Sequence, residues 1–242
     1  MAGKVVVAMR WADGPEQVPA MAETVRALLS AGQGVVLMPP GDQAGAATLA
    51  IGRTRSGQRA VPLVAHTLVD PADPAFVHLD GALDPAPLGI LEAEGIAALI
   101  GSGFPVVVAD CEPVVPHGDT YQLVTAVLDP AATAQRLAGD IGAMTLIFIV
   151  ADDGLGLAGG PRSGDIDVAE AERRLATETD LGAELRAAIR FVRAGGELAV
   201  LTTPAHAAAA LDGTADGSQM LRIHRELSRP RSDAPVLAAG WC

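Results

Sequence analysis

Asp152 and Asp153 follow directly on the most apolar run of the chain, residues 144–150. If that run is a strand, both carboxylates sit at the carboxyl edge of a sheet, where α/β proteins bind ligands. There they can contact a nucleotide or cap the next helix or turn. Arg10 ends the first apolar run, residues 4–9 (KVVVAM). A guanidinium in that place could hold an anion through paired hydrogen bonds; the simpler reading has it solvated or paired with Asp13 or Asp42. Segment 159–164 (GGPRSG) loosely follows a phosphate loop but lacks the Lys-Ser/Thr and the spacing, so it reads as a flexible loop. Cys111 reads as a buried structural thiol. Five histidines show no metal-ligand spacing, and only His117, in a turn-rich stretch, comes near the presumed cleft. Phosphoryl chemistry relies on positioned cations, yet the chain has one lysine, Lys4, beside sixteen arginines.

These residues need a scaffold, and short apolar runs alternating with helical segments predict a parallel sheet covered on both faces. Strands are predicted at 4–9, 34–38, 60–68, 105–109, 144–150, 197–202 and 220–224. Helices are predicted at 18–31, 44–51, 91–102, 129–142, 168–177, 181–194 and 204–211. Pro130 falls in the first turn of its helix, where a missing N–H costs nothing. Residues 111–121 read as turn-rich, and 69–87, rich in proline and aspartate, as an extended surface excursion. Residues 52–59 read as a connection whose Arg53, Arg55 and Arg59 form a small basic patch, and 225–242 as a mobile tail ending in Trp241-Cys242.

Composition excludes several function classes. The formal charge of −12 argues against a nucleic-acid backbone and an anionic membrane surface as partners. Aromatic content of 3% leaves the core to Val, Leu, Ile and Ala, and makes an interface of aromatic anchors unexpected. Two cysteines make no disulfide framework. The N-terminus has no signal-peptide pattern, and no apolar run approaches the roughly twenty residues that span a bilayer. A reduced, cytoplasmic globular protein is expected.

One string is specific: residues 69–76, VDPADPAF, closely resemble a loop of carbamate kinases, members of the amino acid kinase family. The order of segments from Lys4 to about His224 is similar to that family as well. GVVLMPPGDQAG (34–45) stands where relatives have a strand followed by His-Gly-Asn-Gly-Pro-Gln-Val-Gly. PVVVADCEPVVP (105–116) stands at the strand leading to a poly-glycine turn. AVLDPAATAQRLA (126–138) resembles the Ala-Val-Ile-Asp-Lys-Asp helix start. LIFIVADDG (146–154) resembles the Leu-Thr-Asp strand end near the nucleotide, and 181–196 resembles Met-Gly-Pro-Lys-Val-Glu-Ala-Ala-Ile-x-Phe-Val. The resemblance implies a three-layer α/β/α sandwich around a mainly parallel central sheet, with residues 1–224 as one domain. In relatives these segments serve ATP-dependent phosphoryl transfer with Mg²⁺.

The departures fall where that chemistry belongs. Arg10, Trp11 and Ala12 replace Gly-Gly-Asn in the first turn. In the second, Gly41, Gln43 and Gly45 match, but Met38, Pro39, Pro40 and Asp42 replace His, Gly, Asn and Pro. Cys111, Glu112, Pro113 and Val114 replace four glycines. Asp129 matches, whereas Pro130 and Ala131 replace Lys and Asp, and Glu184 replaces the second lysine. Several dozen residues of a protruding subdomain are absent between Phe76 and Leu88.

The resemblance, with these losses, implies a catalytically inactive relative, a pseudokinase, acting as a homodimer or as a kinase-like partner subunit. No catalytic residue, metal or cofactor is expected, with ATP and Mg²⁺ entering only if nucleotide binding survives. Residual ligand contacts would come from Arg10, Gly41, Gln43, Gly45, Asp129, Asp152 and Asp153. The alternatives are a small-molecule binder or enzyme with a site rebuilt on Arg10, Asp129 and Asp152, and a weak carbamate or amino acid kinase.

Overall fold

The structure is a computed structural model. It describes residues 6–11 (backbone only), 18–40, 43–52, 59–70, 88–124, 128–150, 164–176, 182–203, 206, 207, 209 and 220–225. The strands are β1 (Val6–Trp11), β2 (Gly34–Met38), β3 (Val61–Leu68), β4 (Gly89–Ile90), β5 (Val106–His117), β6 (Thr120–Leu123), β7 (Thr145–Ile149), β8 (Gly164–Asp167), β9 (Leu198–Thr202) and β10 (Met220–His224). The helices are α1 (Val18–Ser30), α2 (Ala44–Ile51), α3 (Ala93–Gly101), α4 (Pro130–Asp140), α5 (Val168–Leu175) and α6 (Gly182–Arg193). They build one ten-stranded sheet in the order β4-β3-β5-β2-β1-β7-β9-β10-β8, with β6 paired to β5. Pairing is parallel except at β3/β4, β5/β6 and β9/β10.

The period-two alternation of the apolar runs divides the core into two layers. Val36, Val106, Val108, Leu146, Phe148, Ala199 and Leu201 pack on one face against α3, α4, α5 and α6. Val35, Leu37, Val107, Ile147, Ile149 and Val200 pack on the other against α1 and α2. This is the α/β/α sandwich implied by the resemblance, with a mainly parallel sheet.

Helix ends are written in a recurring local code. After α1, α3, α4 and α6 the chain closes with paired bonds of the Schellman type, such as Gly196 N–H to Phe191 O at 3.1 Å with Gly195 N–H to Val192 O at 3.2 Å. Each closure delivers the chain directly to a buried strand (β2, β5, β7 and β9 in turn). Gly195 has φ +120°, a backbone state that side chains disfavour.

Two expectations need correction. Residues 111–121 are not turn-rich: β5 continues to His117 and folds back as β6. Pro113 and Pro116 suggested breakage, but β5 keeps pairing with β3 as far as Val114 and then with β6, and the Pro113 carbonyl accepts from Val124 N–H at 3.0 Å. Gly164 belongs to no loop; it opens β8, which pairs in parallel with β10. The short β4 was also not anticipated. Residues 53–58, 71–87 and 226–242 lie outside the described residues, so the basic patch (Arg59 apart), most of the excursion and the tail expectation do too. Among the described residues, no helix is long and apolar enough to cross a membrane.

Candidate functional site

A cleft of about 260 Å³ opens beyond the carboxyl end of β2, between β5 and the start of α4. Met38, Pro39 and Pro40 form one wall, Val108 to Cys111 a second, and Leu128, Pro130 and Thr133 the third. It thus brings together three of the five segments in which the sequence departs from the family pattern.

A β-bulge shapes the second wall. Leu63 pairs with Val108 but Val64 pairs with Asp110, so Ala109 is an extra residue on β5. The bulge reverses the alternation beyond it: Cys111 packs in the same layer as Val108, although the two are an odd three positions apart. Bulges commonly re-aim side chains beside binding sites, and this one places Asp110 and Cys111 side by side on the cleft. The Cys111 N–H donates to Asp110 Oδ1 at 2.8 Å. Burial pushes the Cys111 thiol up to about 12, helped by the negative charges of Asp110 and Glu92 and opposed by the Thr67 hydroxyl. The thiol therefore stays protonated at neutral pH and is no nucleophile.

Asp129 stands at the N-cap of α4. Its Oδ1 accepts from Ala131 N–H at 2.8 Å and Ala132 N–H at 3.4 Å, and its carbonyl accepts from Thr133 N–H and the Thr133 hydroxyl, both at 2.9 Å. A helix N-terminus offers its first amides to an anion; in α4 the protein's own carboxylate takes them. Pro130 follows at the first helical position, with no N–H at all. Asp129→Ala should destabilise the protein by about 1 kcal/mol while Asp129→Asn, an equally good cap, retains most of that stability. Urea denaturation of both variants checks this; equal losses would mean the carboxylate acts by charge rather than as a cap.

The other candidates fall as follows. Arg10 and Trp11 end β1, Arg10 in register with Met38 on β2 and Phe148 on β7; their side chains lie outside the described residues, as do Gly41, Asp42, Asp152 and Asp153 entirely. Gln43 is buried and its N–H donates to Pro40 O at 2.8 Å. Gly45 lies exposed in the first turn of α2 with open space around it. Glu184 is in the first turn of α6, where an acidic side chain favours the helix dipole. His117 ends β5, exposed and away from the cleft.

A different histidine forms the cluster that the sequence did not signal. His66 Nδ1 lies 2.6 Å from Glu92 Oε1, and its Nε2 lies 3.7 Å from Glu112 Oε2. The Glu92 carboxylate also accepts from His66 N–H at 2.7 Å, continuing the ladder where β4 turns away from β3. Burial pushes the Glu92 carboxyl up, but its bonds to His66 outweigh that and hold it below the ordinary range. Residues 66 and 92 are too far apart in sequence for any local pattern to announce the contact. Among the described residues, no group of three or more His, Cys, Asp or Glu could hold a metal ion.

Comparison with known proteins agrees with this geometry. No protein-family model matches the chain. A carbamate kinase of Halobacterium salinarum is 36% identical over 141 residues, covering 54% of this chain and 46% of that protein. One from Thermococcus kodakarensis is 33% identical over 150 residues, covering 57% and 47%. The aligned stretches thus span about half the length of those relatives. Among solved structures, carbamate kinase from Giardia lamblia bound to AMP-PNP superposes with a TM-score of 0.76 at 20% identity, over 93% of this chain and 99% of that one. A crystal structure from Aeropyrum pernix gives 0.73 at 18% identity, over 92% and 100%. At such identities the structures establish the fold, and the sequence matches add a similarity over about half of the chain. By sequence over about half of its length, and by fold over nearly all of it, the chain is similar to carbamate kinases of the amino acid kinase family.

Proposed function

We propose that this carbamate kinase homologue is catalytically inactive, a cytoplasmic pseudokinase that acts as a homodimer or as the partner subunit of an active enzyme. One observation carries the reading: among the described residues lining the cleft there is no cation, and the only charge is the carboxylate of Asp110. Transfer of a phosphoryl group spreads negative charge over the transition state, and catalysis consists largely of positioning and neutralising it. The two positions where the family resemblance expects lysine hold Pro130 and Glu184, each in the first turn of a helix. Both residue types favour helix starts, so those positions now support the scaffold. Asp110 adds repulsion, which strengthens as water is excluded.

The test is direct. A ligand at a hundred times its Kd adds about 2.7 kcal/mol of stability, so a nucleotide site of useful affinity would raise Tm visibly. Millimolar ATP, ADP and Mg²⁺ should leave Tm unchanged; ATP with carbamate should yield no ADP, and ADP with carbamoyl phosphate should yield no ATP. ATP-dependent carbamoyl phosphate formation would overturn the proposal and favour the weak kinase. Native mass spectrometry of the purified chain, alone and with co-purifying kinase-like chains, separates homodimer from partner subunit.

A further inference from the structure

We propose that the cleft between β2, β5 and α4 binds a small organic amine, with its ammonium group on Asp110 and its apolar body against the proline-lined walls. The inference rests on the reading that this site no longer serves phosphate, and it names the class of ligand that replaces it.

The argument is a balance of donors and acceptors. Pro39, Pro40 and Pro130 have no N–H to donate. The Thr133 hydroxyl donates to the Asp129 carbonyl, and the N–H groups of Ala131 and Ala132 are turned to the Asp129 carboxylate. The Cys111 N–H is bonded to Asp110. Among the described residues, these donors are engaged within the protein, while the Asp110 carboxylate keeps accepting capacity. A carboxylate accepts about four hydrogen bonds, and Cys111 takes one of those of Asp110. Among the described residues of the cleft, an anionic ligand meets the like charge of Asp110, whereas a cationic donor meets an opposite charge with acceptor sites to spare.

The rest of the lining sets the shape of the ligand. Met38, Val108, Ala109 and Leu128 present aliphatic surface next to the prolines. The volume of about 260 Å³ lies just below the range of drug-sized pockets, suited to a primary amine on a compact hydrocarbon. A strongly hydrated inorganic cation would gain nothing from such walls, and the described residues form no metal-ligand cluster here. The bulge at Ala109 has a purpose in this reading: it sets Asp110 on the cleft beside Cys111, whose protonated thiol adds no competing negative charge.

The probe is cyclohexylamine, an ammonium ion at pH 7.5, compared with cyclohexanecarboxylate and cyclohexyl phosphate, which share its ring. Ligand-observed NMR titration of the full chain should show saturable binding of the ammonium alone. Asp110→Asn should weaken that binding about fivefold, the worth of a solvent-accessible charge pair, without changing the circular dichroism spectrum. Pro130→Lys, at an exposed position of α4, adds a like charge to the same cleft and should also abolish the ammonium signal. Equal binding of carboxylate or phosphate, absence of saturable ammonium binding, or ammonium binding untouched by both substitutions would each overturn the proposal. The kinase assay is read separately: ATP-dependent carbamoyl phosphate formation refutes the inactive kinase, and the amine series is still decided by its own three ligands.

Discussion

Alanine at position 196 is expected to destabilise this protein by about 3 kcal/mol, at the upper end of the usual range for overpacking. Gly196 closes the C-terminal end of α6 through its bond to Phe191 O. The same closure lays its Cα against the Phe191 ring: an added Cβ would lie within 2.6 Å of Cδ1 and Cζ. Contacts of real Cβ atoms do not come that close, and Phe191 cannot retreat because it is 1% exposed within the α4–α6 layer. Either the ring leaves its rotamer or the closure opens and shifts β9, which begins two residues later. Chemical denaturation of Gly196→Ala measures the loss. The double variant with Phe191→Leu should lose less than the sum of the two single losses, since residues in contact couple. Strict additivity, or a loss within experimental error, would show that the contact is not what requires glycine.

Phe148→Ala should be still more damaging, at about 3–5 kcal/mol for a fully buried phenylalanine. Phe148 lies in the middle of β7, flanked by β1 and β9, and is 1% exposed. It is also one of the largest side chains in a core with few aromatics, so smaller neighbours cannot close the cavity. A typical domain is stable by only about 5–15 kcal/mol, so this single change threatens folding itself. For a chain of this length each kcal/mol lowers Tm by roughly 2–4 °C. A fall in Tm of less than 5 °C would contradict the cavity argument, and an unchanged denaturant slope would confirm that the loss is of native-state packing.

How far the fold can be read without coordinates varies along the chain. The strands β2, β7 and β10 were predicted to within a residue at either end; in β2 the reason is plain, since GVVLM is a short buried apolar run between Gln33 and Pro39. The helix-to-strand closures are local and equally legible: glycine after α1, α3, α4 and α6 marks each one. β5 was cut short because Pro113 and Pro116 carry a local preference against strands, which pairing on both sides overrides. β4 is two residues long and exists only because β3 is beside it, so no periodicity could disclose it.

The site divides in the same way. From the residues alone came the loss of the expected lysines and glycine turns, since that is a matter of which side chains occupy which positions. Tertiary structure decided what the replacements do. Pro130 and Glu184 start helices, Asp129 occupies the amides an anion would need, and a bulge formed between strands distant in sequence sets Asp110 on the cleft. The Glu92–His66–Glu112 contact likewise exists only once β3, β5 and the β4–α3 turn are adjacent. A replaced residue shows in the sequence because its identity is local; a contact that is assembled depends on distances between segments, and only the fold supplies those.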